Sequence, residues 1–271
     1  MPELPEVETT RRGIEQYLCG HTVTAVTVRN RRLRWPVPHT LIQTLPGQRI
    51  ESVTRRGKYL LLHTAVGTAL LHLGMSGSLR ILRADIPAEK HDHLDIVLDS
   101  GRALRLRDPR RFGTLLWTTQ DPARHKLLRS LGPEPLEKGF DGDYLFAKSR
   151  KRKVAVKNFI MNSHIVVGVG NIYASESLFL ARIHPERAAG RITSERYAAL
   201  AKAIRKVLTA AIKAGGTTLR NFAHENGEPG YFRQHLRVYG REGKTCERCG
   251  ARIVSRVTGQ RSTYYCPNCQ T

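Results

Sequence analysis

The sequence predicts an α+β protein of more than one domain: a β-rich domain, then a helical one, then a short metal-held segment. Three observations carry that prediction. Short β-branched and leucine-rich runs, punctuated by Gly, Asp, Pro or Asn, fill residues 21–117. Near Asp121 the texture changes to longer segments with apolar residues at helical spacing. Four of the five cysteines then fall between Cys246 and Cys269. A chain of 271 residues can bury the core this needs.

Taken in order, residues 5–18 read as a helix, with Val7, Ile14 and Leu18 on one side and Gly20 as its stop. Cys19 at its end reads as a small buried side chain. Strands are expected at 23–28, 49–53, 59–63, 68–73, 78–82, 95–98, 103–106 and 114–117, a spacing that suits a β-sandwich or barrel. Residues 123–131 look helical, and Gly132-Pro133 with Pro135 marks a linker. Further helices are expected at 141–147, 154–161, 170–181 and 194–214, the last with Leu200, Ile204, Leu208 and Ala211 in register. The glycine-rich stretch 215–235 reads as irregular, either a plain connection or a loop over a site. Ile253 to Val257 and Ser262 to Tyr265 read as a hairpin with Thr258-Gly259-Gln260-Arg261 at its tip.

Charge is the strongest bulk feature. There are 45 Lys+Arg against 23 Asp+Glu, a formal net charge of +22 spread along the chain. A polyanionic partner follows, nucleic acid first. No apolar run reaches the roughly 18 residues that a membrane span needs, and no signal-peptide core is visible near the start, so the expected compartment is cytoplasmic.

Several constellations bear chemistry. Cys246-x2-Cys249-x16-Cys266-x2-Cys269 has the spacing of a four-cysteine zinc site. Four thiolates complete a tetrahedron and leave no open position, so one structural Zn²⁺ is expected. Without Met1, the first residue would be Pro2, whose secondary amine is a nucleophile needing no side chain; Glu3 and Glu6 lie beside it as acid/base or positioning groups. The same residues also suit an ordinary helix start. Gly168-Val169-Gly170-Asn171 opens a helix, where backbone N–H groups and Asn171 could hold a phosphate; a tight packing turn explains it equally. Lys58 precedes an apolar strand, and Lys151, Arg152, Lys153 and Lys157 read as a phosphate-facing patch at a helix start. Turns 72–77 and 108–113 carry Met75, Arg110 and Phe112, large side chains able to wedge into a base stack.

Together these segments resemble the bacterial formamidopyrimidine-DNA glycosylases along nearly the whole chain. The resemblance rests on Pro2 to Thr9, Arg56-Gly57-Lys58-Tyr59-Leu60, His72 to Gly77, Lys90-His91-Asp92-His93, Asp108 to Gly113, Val166 to Glu176, Pro229-Gly230-Tyr231-Phe232 and the cysteine segment. It implies an N-terminal catalytic β-sandwich (1–131), a helical domain with a helix–two-turns–helix motif (132–236) and a C-terminal zinc finger (237–271). It also implies a monomeric, nucleoid-associated glycosylase and abasic-site lyase of base excision repair, acting on double-stranded DNA that contains oxidised purines. By position, Pro2 attacks C1′ of an extruded nucleotide, Glu3 is the acid/base on the sugar and Glu6 a positioning group. Lys58 and Arg261 bind the flanking phosphates and assist the chemistry, and Asn171 binds phosphate. Met75, Arg110 and Phe112 fill the gap left by the base, and His91, Arg152 and Lys153 contact DNA. Residues near 217–235 resemble a loop that closes over the lesion.

Two rival readings remain at this level. An endonuclease VIII-type glycosylase for oxidised pyrimidines shares the proline, Glu3 and the zinc finger. A non-catalytic zinc protein that binds nucleic acid fits the charge and the cysteines but has no use for Pro2 beside Glu3.

Overall fold

The structure is a computed structural model that describes residues 2–215 and 236–271. These fall into two compact units, one of residues 2–129 and one of residues 130–215 with 236–271.

The first unit begins with helix α1, Leu4–Leu18. Eight strands follow: β1 (Val23–Val28), β2 (Ser52–Arg56), β3 (Tyr59–Thr64), β4 (Gly67–His72), β5 (Ser78–Arg83), β6 (Asp92–Leu98), β7 (Arg102–Arg107) and β8 (Thr114–Thr118). They form two four-stranded antiparallel sheets, β1-β6-β7-β5 and β2-β3-β4-β8. One apolar cluster takes side chains from both sheets, including Leu94, Ile96, Leu104 and Leu106 from one and Leu60, Leu62, Leu71 and Leu115 from the other, so the unit is a sandwich. Val7, Ile14 and Leu18 of α1 join that cluster, with Cys19 packed partly buried at its edge. A short helix α2 (His39–Thr44), anchored by Leu41, is not legible in the sequence, since six residues carry too little periodicity.

Two expectations are corrected here. The strand placed at 49–53 is Ser52–Arg56, because the two-residue turn Gly57-Lys58 sets the register that pairs Arg56 with Tyr59. Gly57 has φ +58, the conformation that a type II′ hairpin requires at its first central position. The helix placed at 123–131 is only a 3-10 turn, Pro122–Arg124. Of residues 123–131, Leu128 alone is buried, and a helix without an apolar face to pack is not held.

The second unit contains α3 (Gly142–Ser149), α4 (Val156–Met161), α5 (Asn171–Leu180) and α6 (Ser194–Lys213). Asp141 caps α3 by accepting from Tyr144 N at 2.8 Å, and Thr193 caps α6. A Cβ on Gly142 would lie 2.4 Å from Ala198 Cα, so only glycine allows α3 to approach α6 this closely. Tyr197, Leu200, Ile204, Leu208 and Ala211 form the buried stripe of α6. A turn at 163–165 and a bend at 166–168 join α4 to α5. The chain ends in a two-stranded hairpin, β9 (Val254–Thr258) and β10 (Arg261–Tyr265). Its tip is therefore Gly259-Gln260, both at positive φ, and Arg261 is the first residue of β10, opposite Thr258. Among the described residues no helix is long and apolar enough to cross a membrane.

Candidate active site

The site is built on the entry to α1. Glu3 is the N-cap residue, and a capping box locks it: its carboxylate accepts from Glu6 N, while Glu6 Oε2 accepts from Glu3 N at 2.9 Å. Both carboxylates are buried, at 2% and 3% exposure, and Pro2 sits half-buried immediately before them. Pro5 follows in the first turn, where its missing N–H leaves no donor unsatisfied. The helix start therefore holds two acidic groups at fixed positions beside the residue that the sequence marks as nucleophile.

A chain of charge-assisted bonds ties α1 to the Lys58 turn. Glu8 receives Arg11, Arg12 and Arg55. Burial pushes the Glu8 carboxyl up, but these three guanidinium groups outweigh it and hold the carboxyl below its usual range. Arg55 meets Glu8 Oε2 at 3.1 Å and Gly57 O at 2.8 Å, gripping the turn that presents Lys58. Lys58 is itself partly buried. Across the strand pair, the His72 ring lies 4.7 Å from Tyr59, and its Nδ1 accepts from Gly74 N at 2.9 Å. Burial, reinforced by the positive Lys58 and Arg34, lowers the His72 pKa to about 4, so this imidazole is neutral near physiological pH.

Three large side chains stand out from the same unit. Met75 is 41% exposed and Phe112 42%, and the Arg110 guanidinium stacks 4.8 Å from the Phe112 ring centroid. The two turns that carry them meet at the buried Asp108, a carboxylate that no local spacing marks. His91 lies on the loop before β6 in a left-handed conformation, φ +77.

In the second unit, the expected phosphate-facing patch is corrected. Arg152 and Lys153 are exposed, but they lie in the loop before α4, not at its start. Ala155 is extended and bridges Ala188, which delays the helix to Val156. Lys157 is fully buried and is no phosphate-facing base: its Nζ donates to Thr263 Oγ1 at 2.6 Å and to Ser262 O at 3.1 Å. Burying an ammonium is unfavourable unless its protons are used, and β10 supplies the acceptors. Asn171 Nδ2 donates to the same Ser262 O at 3.0 Å, so two helices hold the strand that begins with the exposed Arg261.

The cysteines converge as their spacing predicts. All four Sγ atoms lie within 4.8 Å of one another, with Cys246–Cys269 at 3.9 Å and Cys249–Cys266 at 3.5 Å. Tetrahedral zinc with Zn–S near 2.3 Å requires Sγ separations of about 3.8 Å, so the donor set fits zinc. Backbone N–H groups of Arg248 and Cys249 point at Cys246, and those of Asn268 and Cys269 at Cys266, the usual support of thiolate ligands. The segment leading into the finger is fixed by Glu176 of α5, which accepts from the backbone N–H groups of Arg237, Val238 and Tyr239. No local pattern in the sequence marks that glutamate, because its partners are some sixty residues away.

A β-sandwich, a helical domain and a four-cysteine finger are the architecture of a zinc-finger DNA glycosylase, and family models match in that order. The formamidopyrimidine-DNA glycosylase N-terminal domain matches residues 1–115, the formamidopyrimidine-DNA glycosylase H2TH domain 131–223, and the zinc finger found in FPG and IleRS 243–271. Formamidopyrimidine-DNA glycosylases of Thioalkalivibrio sulfidiphilus and Syntrophotalea carbinolica are each 61% identical over 270 residues, covering 100% of both chains. Solved relatives include Lactococcus lactis Fpg with abasic-site DNA (TM-score 0.92, 35% identity, 99% of each chain). A second is Lactococcus lactis Fpg with Fapy-dG DNA (TM-score 0.91, 34% identity, 99% of this chain and 100% of that one). The chain belongs to the formamidopyrimidine-DNA glycosylase family: it is a zinc-finger DNA glycosylase of base excision repair that binds damaged double-stranded DNA.

Proposed function

We propose that this glycosylase excises oxidised purines, 8-oxoguanine and formamidopyrimidines, through a Schiff base on Pro2, acting as a monomer in the cytoplasm, on the nucleoid. The observation that carries the reading is the capping box that holds Glu3 and Glu6 beside Pro2. With Met1 removed, the Pro2 amine attacks C1′ of the extruded nucleotide. The glycosidic bond breaks, and the base leaves with its electron pair and takes up a proton. Ring opening gives an iminium, which stays cationic because the amine is secondary. Loss of a C2′ proton sends its electron pair into the iminium to give an enamine. That pair then forms the C2′–C3′ double bond as the C3′–O bond breaks and the phosphate leaves, restoring the iminium. Loss of a C4′ proton expels the C5′ phosphate in the same way, and water hydrolyses the iminium to free Pro2. Glu3 moves protons on the sugar, and Glu6 fixes Glu3 by accepting from its N–H. Lys58 and Arg261 hold the flanking phosphates with Asn171, while Met75, Arg110 and Phe112 enter the vacated stack. His91, Arg152 and Lys153 contact the backbone. The zinc holds the finger and takes no part in the bond changes. In this reading the domains are 1–131, 132–236 and 237–271. The closing loop expected near 217–235 lies outside the described residues.

Borohydride trapping tests it. With a duplex carrying 8-oxoguanine opposite cytosine, the expected result is a covalent complex that maps to Pro2 and disappears in Pro2→Gly. Trapping mainly on an oxidised pyrimidine would transfer the assignment to the endonuclease VIII type. Binding without trapping on either duplex would remove the Schiff base.

A further inference from the structure

We propose that Asp108 is a positioning residue for base extrusion: its buried carboxylate clasps the Met75 turn to the Arg110–Phe112 turn, so that the three side chains meet the duplex as one preformed wedge. The inference rests on the reading above that these side chains fill the vacated stack.

The geometry is specific. Asp108 has 0% exposure, while Met75 and Phe112 are more than two-fifths exposed. Asp108 Oδ1 accepts from Ser76 Oγ at 2.6 Å, and Ser76 is the neighbour of Met75. The same Oδ1 accepts from Arg110 N at 3.3 Å, and Ser76 Oγ also accepts from Arg110 N, at 3.2 Å. Asp108 Oδ2 accepts from Gly113 N at 2.7 Å, just past Phe112. One carboxylate thus holds both turns and brackets Arg110, Arg111 and Phe112 between two of its bonds. The backbone of Asp108 is anchored too: its N–H donates to His91 O at 3.0 Å, and its carbonyl lies 2.8 Å from His93 Nε2.

The backbones of the turns also touch. Gly74 has φ +62, and a Cβ there would lie 2.4 Å from the Phe112 carbonyl carbon. Only glycine permits this approach. The Asp108 carboxylate joins the turns on one side and the Gly74–Phe112 contact on another, which fixes the backbones that carry the three side chains relative to one another. A wedge fixed in advance loses little conformational entropy on insertion, whereas loose turns would have to be ordered at the moment the base unstacks.

The test separates extrusion from the later chemistry. Asp108→Asn, Ser76→Ala and Met75→Ala are assayed on a duplex carrying 8-oxoguanine opposite cytosine and on a single strand carrying an abasic site, which has no base to extrude. Because small misplacements of positioning groups have large kinetic effects, Asp108→Asn is expected to slow single-turnover excision about tenfold or more. Ser76→Ala is expected to slow it less. Both should cleave the abasic single strand within about twofold of wild type, and Asp108→Asn combined with Met75→Ala should be no slower than the worse single variant. Equal loss on both substrates, or no loss on either, overturns the clasp. If Asp108→Asn does not fold, Ser76→Ala decides alone, since it removes one donor and leaves the carboxylate in place. If Met75→Ala itself leaves excision unchanged, the wedge reading fails; if Met75→Ala slows excision and Asp108→Asn does not, only the clasp fails.

Discussion

Lys157 Nζ lies 2.6 Å from Thr263 Oγ1, a hydrogen bond between residues 106 positions apart in the chain, made by a side chain with no exposure to solvent. That bond changes the reading of one base in this basic protein. Lys157 holds β10 in place, and Arg261 is the residue that β10 presents.

Salt dependence of DNA binding distinguishes the two roles. Lys157→Met should lower stability by roughly 1–3 kcal/mol, because Ser262 O and Thr263 Oγ1 lose a buried donor. It should weaken DNA binding only through Arg261, so in an Arg261→Ala background it should leave the slope of log K against log salt unchanged. Arg152→Ala should reduce that slope by about one, as loss of a phosphate contact does. Fluorescence anisotropy titrations from low to moderate salt measure both; a further slope change from Lys157→Met in the Arg261→Ala background would return Lys157 to the phosphate-binding set.

Zinc should be essential to the finger and dispensable to the sandwich. One zinc per chain is expected by atomic absorption from the four converging thiolates. Cys266→Ala removes a fully buried ligand and should abolish stoichiometric zinc and specific duplex binding. Hydrogen exchange should still find the sandwich amides protected, since residues 2–129 have a core of their own. Full DNA affinity in zinc-free protein would contradict this assignment.

The His72 environment sets a pH dependence of stability. Its pKa is about 4 in the fold, against 6.5 as the ordinary value, so the unfolded chain binds the proton more readily between those limits. The contribution of His72 to stability is therefore fully present above pH 6.5 and is lost as pH falls toward 4, by about 3 kcal/mol in all. Urea denaturation at pH 7 and pH 5 should show wild type losing more stability than His72→Gln across the same interval. Equal losses would place the titration elsewhere.

Much of this architecture was legible because its signals are local. Seven of the eight strands of the sandwich follow from β-branched and leucine-rich runs between turn residues, and the helices beginning at Leu4 and Ser194 from apolar residues at helical spacing. Where a segment had the composition of a helix but no surface to pack on, as at 123–131, composition misled. Where a turn set the register, as at Gly57-Lys58, the strand moved by several residues.

The acid-flanked proline and the four zinc ligands are legible in the chain because each is a short run of residue types at fixed spacing, and the family because many such runs recur in order along its length. Which charged groups face solvent and which hold the fold emerged only on folding. Folding turned Lys157 inward to Thr263, set Glu176 against the backbone of Arg237 to Tyr239, and placed Asp108 between two turns. The physical reason is that a buried charge persists only where distant backbone and side-chain groups supply its hydrogen bonds. Those partners are assembled by folding, and no local spacing encodes them.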